Sequence, residues 1–162
     1  MTTELAPYAP TGASESGEQP VLYVVFSASG SDYALPAETV LQMESFEGAT
    51  AVPGAPPFVA GVVQIRGRVL PVVDLRLRFG GTPGERVLDN RIVVGQLGER
   101  VVGLLVDSAR EVVRLRRSEW KAPPALVASA GFVRGVAQIG TRLVMLLDFA
   151  KVIGEEQLDG VV

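Results

Sequence analysis

Asp74 and Asp148 are carboxylates in matched positions, 74 residues apart, each closing an apolar run. Paired acids can divide general acid and base work. Each also stands shortly before a glycine (Gly80, Gly154), where an aspartate caps a short helix and the glycine ends it. Capping accounts for both residues without chemistry. A second candidate is Arg114, Arg116 and Arg117 beside Trp120 and Lys121, a basic and aromatic cluster of the kind that grips phosphates or stacks a base. Charge protecting an exposed edge strand explains it equally well. The third is Gly80-Gly81-Thr82-Pro83-Gly84, which lacks the terminal Lys-Ser or Lys-Thr of a phosphate loop and reads as a turn.

Histidine and cysteine are both absent from the 162 residues. The usual general base, the Ser-His and Cys-His nucleophile pairs, disulfides, and thiolate or imidazole metal sites are therefore excluded. Neither a catalytic set, a metal site nor a cofactor site is expected. Net charge is −3, unevenly spread: all 15 basic residues lie between residues 21 and 153, whereas Glu4, Glu15, Glu18, Glu155, Glu156 and Asp159 flank that span. Thirteen of those charges are arginine and two are lysine, Lys121 and Lys151, which suits bidentate contacts with carboxylates at a protein interface better than a bulk polycation. With no wider basic stripe, nucleic acid is not the expected partner. No apolar run approaches the ~18 residues that span a bilayer, so direct membrane insertion is not expected. Residues 1–20 carry neither a basic n-region nor an apolar h-region and read as a disordered acidic tail; a cytoplasmic location follows as the expectation.

The element that must position any site is a repeat. Phe58 to Asp74 recurs as Phe132 to Asp148, with aliphatic residues exchanged for one another at most non-identical positions. Val21 to Phe26 and Tyr33 to Leu35 flank Ser29-Gly30-Ser31 as a hairpin, and Arg91 to Gly95 and Val101 to Asp107 flank Gly98-Glu99 as another whose strands are nearly continuous apolar runs. Within the repeats, Arg66-Gly67 and Gly140-Thr141 mark tight turns, and Pro71 points to an edge strand. Pro36 followed by Val40 and Met43 three apart predicts a short helix. The expectation is an all-β protein of about ten strands closed into two small five-stranded barrels, the first over 21–84 and the second over 85–153, with an acidic tail at 154–162. Arg66 has the best case for function: the second copy carries Gly140 in its place, so the fold does not demand an arginine there.

Val62 to Arg76 resembles the "GvxNLRGxvxPVxDLR" signature of the CheW-type chemotaxis coupling proteins. Val101 to Ser108 is similar to that family's "GlxVDsV" strand, Ala122-Pro123-Pro124 to its "PaP" loop, and Phe132 to Asp148 to its closing "GvxxlgdrlvxlLD" segment. The resemblance runs from about Val21 to Ile153. It implies two SH3-like barrels around an apolar seam, no catalysis, and an adaptor joining the cytoplasmic tips of chemoreceptors to the regulatory domain of the chemotaxis histidine kinase. By motif, the receptor would touch Val40, Gln42, Arg66 and Gly67, while the kinase-binding residues stay unassigned. Two positions depart from the pattern: Gln64 where asparagine is usual, and Gln42 where glutamate is usual. The alternative is a double-barrel module binding a small ligand or nucleic acid outside chemotaxis, because small β-barrels host both.

Overall fold

The computed structural model describes residues 19–82, 84 and 87–154; of the expected acidic tails at 1–20 and 154–162, all but residues 19, 20 and 154 lie outside the described residues. Ten strands form two five-stranded sheets. They are β1 (Val21–Ala28), β2 (Ser31–Pro36), β3 (Val40–Ser45), β4 (Val59–Ile65), β5 (Arg68–Asp74), β6 (Arg91–Leu97), β7 (Arg100–Val106), β8 (Ser108–Leu115), β9 (Val133–Ile139) and β10 (Arg142–Leu147). Three helices of four or five residues, α1 (Leu75–Arg78), α2 (Ala125–Ala128) and α3 (Phe149–Ile153), follow or precede strands.

The strand orders are β3-β6-β7-β5-β4 and β8-β1-β2-β10-β9. Each sheet is closed by the chain that continues its outer strand: Thr50, beyond β3, bridges Val62 of β4, and Lys121, beyond β8, bridges Val136 of β9. The two orders are one plan, with β3, β6, β7, β5 and β4 corresponding to β8, β1, β2, β10 and β9. The copies are nevertheless not separate in sequence. One barrel is β3 to β7, and the other takes β8, β9 and β10 from the end of the chain and β1 and β2 from its start. The expected division at residue 84 therefore does not match the sheets. Parallel pairing is the physical reason: β5 pairs with β7 and β10 with β2, so each repeat's hairpin completes its sheet with the hairpin of the other repeat.

This exchange creates the seam. Central strands present alternate residues to a barrel interior and to the other barrel. In β6, Ile92 and Val94 face one interior while Val93 faces the seam; in β7, Val101 and Leu105 face inward while Val102, Leu104 and Val106 face the seam. Tyr23 and Val25 of β1 line the other interior, and Phe26 joins the seam. Fifteen buried residues form the seam cluster against six in each interior, so the largest core lies between the barrels rather than within either. Phe149 of α3 packs on β6, where Gly95 leaves the room: a Cβ there would lie 2.6 Å from its ring.

Polar contacts lock the same seam. The carboxylate of Asp74 accepts the backbone N–H of Arg76 at 3.0 Å and caps α1, as Asp148 caps α3 by accepting from Lys151 N–H at 3.2 Å. Arg76 is buried. Its guanidinium donates to both oxygens of Asp74, at 3.1 and 3.2 Å, and to Asp107 at 3.2 Å; Asp107 in turn accepts the N–H of Ser29 in the β1–β2 turn. Burial opposes the charge on Arg76, but hydrogen bonds and Coulombic attraction from the two aspartates outweigh it and hold its pKa above the usual arginine value. Arg78 lies over the rings of Phe58 and Phe132, the matched phenylalanines of the two repeats, and donates to the carbonyl of Val152 at 2.7 Å.

Two local expectations are corrected. Residues 37–43 are a single 3-10 turn (Ala37–Thr39) running into β3, because Val40 to Ser45 alternates half-buried and exposed residues and pairs with β6. A register shift between Val40 and Gln42 bulges the strand, so Val40 and Met43 pair with Gly95 and Val93 on one face of β6, and a spacing of three arises without a helix. Pro71 sits in an interior strand, β5, flanked by β7 and β4. It is tolerated because pairing with β7 starts one residue later, at Val72, so no ladder donor is lost on that side.

Because neither barrel closes without strands from both repeats, the two should unfold together. Leu75, fully buried in the seam cluster, supplies the test: Leu75→Ala is expected to cost about 2–5 kcal/mol while calorimetry still records one transition. Two separable transitions would contradict a shared core.

Candidate functional site

Arg66 and Gly67 are the two turn residues between β4 and β5, with Ile65 paired to Arg68. Both have positive φ, 52° and 81°, the geometry a two-residue twisted hairpin requires. Glycine takes this conformation without strain; an arginine pays ~1–2 kcal/mol for it. Matched position 140 is glycine with φ 63°. Arg66 is 77% exposed, and its ion pair with Glu44 at 3.9 Å is of the surface kind that contributes ~0–1 kcal/mol. Local contacts therefore do not offset the strain of keeping arginine at this turn.

Gln42 and Glu44 stand two apart on β3 and share a face. Gln42 Nε2 donates to Glu44 Oε2 at 2.6 Å, the same oxygen that faces Arg66. Gln42 and Arg66 thus meet at the carboxylate of Glu44, and Gly67 adjoins Arg66 in the turn. The negative charge that the family resemblance places at position 42 is carried here by Glu44. Val40 is different: it is half-buried at the start of β3, opposite Gly95, and packs against the seam cluster. Glu44 itself is missed by sequence reasoning because a helix over 36–43 hides the period-2 relation between residues 42 and 44.

Beside this trio a groove of about 790 Å³ opens between the continuation of β3 and β4, lined by Glu44, Thr50, Val63, Ile65, Arg66 and Ile92, with Gln64 also on its wall. Its floor is aliphatic and its rim is charged. On the outer faces Leu41, Met43 and Val69 are 49%, 38% and 50% exposed, so apolar surface continues around the turn.

The other candidates resolve differently. Asp74 and Asp148 are the helix caps described above, and Asp74 is engaged by Arg76. Trp120 does not offer a stacking face: its ring packs edge-on against Tyr23, centroids 5.1 Å apart, and its indole nitrogen is buried. Arg114 and Arg116 line a separate, smaller groove of about 360 Å³ with Pro20 and Glu119. Among the described residues, no three acidic side chains cluster to hold a metal ion, and no helix is long and apolar enough to cross a membrane.

Two exchanged five-stranded barrels with an open, charge-rimmed groove on one of them define a binding module. The chain belongs to the CheW-like domain family, which it matches over residues 22–157. It is 31% identical over 135 residues to the chemotaxis protein CheW of Bacillus subtilis, covering 82% of this chain and 86% of that protein. Identity to the chemotaxis protein CheW of Rhizobium meliloti is 30% over 136 residues, covering 83% and 88%. The crystal structure of the scaffolding protein TtCheW from Thermoanaerobacter tengcongensis superposes with a TM-score of 0.73 at 29% identity, covering 80% of this chain and 89% of that one.

If Arg66 is retained against the preference of its turn, Arg66→Gly relieves strain. Thermal melting should show a protein as stable as the parent or more stable by up to about 1 kcal/mol; a clear loss of stability would mean that the arginine serves the fold.

Proposed function

We propose that this protein is a non-enzymatic adaptor of a chemosensory array, joining the cytoplasmic tip of a chemoreceptor to the regulatory domain of the chemotaxis histidine kinase. Membership of the CheW-like family over nearly the whole chain supports this reading, as do relatives named chemotaxis proteins and a solved relative described as a scaffold. The observation that carries the site is Arg66, an exposed arginine held at positive φ beside a groove. Strain at an exposed position that brings the fold no compensation is the mark of a residue kept for a partner.

In this reading the receptor helix lies along the face that presents Gln42, Arg66 and Gly67, with Val40 at its seam-side end. Aliphatic surface supplies affinity, and Arg66 sets registry by pairing with a receptor carboxylate. The exchanged strands make the two barrels one body, so a displacement at the receptor face is carried to whichever surface meets the kinase. The adaptor works in the cytoplasm, beside receptor arrays in the membrane.

Arg66→Glu reverses the charge at an exposed turn and leaves the buried core untouched. Receptor fragments immobilised on a resin should retain the parent protein and lose the variant, with the two giving superimposable circular dichroism. Equal retention would remove Arg66 from the receptor interface.

A further inference from the structure

The two barrels are copies, so each can be read as a control for the other. Strand pairing aligns them residue by residue: Ile92 lies opposite Glu44 as Tyr23 lies opposite Val113, and Ile65 precedes its turn as Ile139 does. The closing bridges align Thr50 with Lys121. Close approaches align their neighbours. A Cβ on Gly61 would lie 3.2 Å from the Cβ of Ala49, and one on the matched Gly135 would lie 3.3 Å from the Cβ of Trp120. Ala49 therefore occupies the backbone position of Trp120.

In the barrel built on β8, the Trp120 indole packs edge-on against Tyr23 and joins the cluster containing Val113 and Ile139. The corresponding residues in the barrel built on β3 are Ile92, Glu44 and Ile65, and all three line the 790 Å³ groove. Phe46 does not substitute for the indole. It pairs with Asn90 as Leu115 pairs with Val21, so it takes the place of Leu115. The groove thus lies where the other barrel seats an aromatic plug, and the backbone position of that plug is held here by Ala49, between the lining residues Gly48 and Thr50.

We propose that the groove receives one aromatic side chain from a partner protein, seated against Ile92 and Ile65 where Trp120 sits against Tyr23 and Ile139, with a neighbouring partner carboxylate on Arg66. An aromatic side chain is the occupant because the molecule itself fills the equivalent place with one. The carboxylate follows from the exposed Arg66 guanidinium on the rim, whose pairing with Glu44 at 3.9 Å is loose enough to be exchanged. The inference rests on the reading of this face as the partner site and names the group that enters it.

Free indole, titrated into the full chain and followed by amide chemical shifts, is the direct probe. Shifts are expected to concentrate at Thr50, Val63, Ile65 and Ile92 and to vanish in Ala49→Trp, which supplies the plug internally. Ala49→Trp should also bind the receptor tip at least tenfold more weakly while melting no lower than the parent. Absence of indole shifts in the groove, or the same shifts in folded Ala49→Trp, would overturn the proposal; if that variant does not fold, the titration of the parent decides alone. The two readings fail separately. Loss of receptor binding in Arg66→Glu without any indole response would leave the receptor face standing and remove the aromatic slot. Indole binding with an unaffected Arg66→Glu would keep the slot and assign it to another partner.

Discussion

Parallel pairing of β5 with β7 and of β10 with β2 is the constraint on which the rest of the structure depends. A hairpin from one repeat can complete its sheet only with the hairpin of the other, so the barrels cannot be separated without breaking both. The seam follows from that exchange. Strands whose two faces are both apolar have one face inside a barrel, and the other must find cover; it is covered by the matching face of the second barrel. Arg76, buried and held by Asp74 and Asp107, adds a polar clasp across the same junction, linking the end of β5 to the β7–β8 connection and through it to the Ser29 turn. Removing one partner from such a buried network leaves an uncompensated charge, which is why the clasp specifies the junction more sharply than apolar contact does.

A rigid pair of barrels suits an adaptor. An adaptor with independent lobes would absorb a partner's displacement in its linker, whereas one core transmits it. In the proposed function, the asymmetry between the copies is where the partner is to be sought. Architecture is shared: the capping aspartates, the glycines beneath the closing bridges, the tight turns. The differences gather on one face, with Arg66 for Gly140, Ala49 for Trp120, and Gln42 with Glu44 for Glu111 with Val113. In the barrel built on β8, Glu111 is occupied internally, pairing with Arg142, which also holds Asp32. The barrel built on β3 leaves its equivalent surface open.

Much of this is legible in the sequence. The repeat, the hairpin turns at Ser29-Gly30, Arg66-Gly67 and Gly98-Glu99, and the caps at Asp74 and Asp148 are local signals, decided within a few residues by turn chemistry and side-chain reach. The exchange of strands was not legible, since a repeat of two hairpins reads the same whether each closes on itself or on its neighbour. The stretch at 37–43 misleads because Val40 and Met43 satisfy a helical period over one turn, and seven residues are too few to separate that from a bulged strand; pairing with β6 decides it. Pro71 misled for a similar reason, because the point at which parallel pairing begins is a tertiary fact. The groove stayed hidden because the loop that ends at Lys121 is two residues longer than the one that ends at Thr50, which shifts Trp120 out of simple alignment with Ala49.

In the proposed function, one double barrel holds receptor and kinase together. Sedimentation of purified kinase with receptor-bearing membranes, with and without this protein, tests it most directly. Kinase that pellets in proportion to added adaptor, and stays in solution without it, is the predicted result; kinase whose partition is indifferent to the adaptor would contradict the claim.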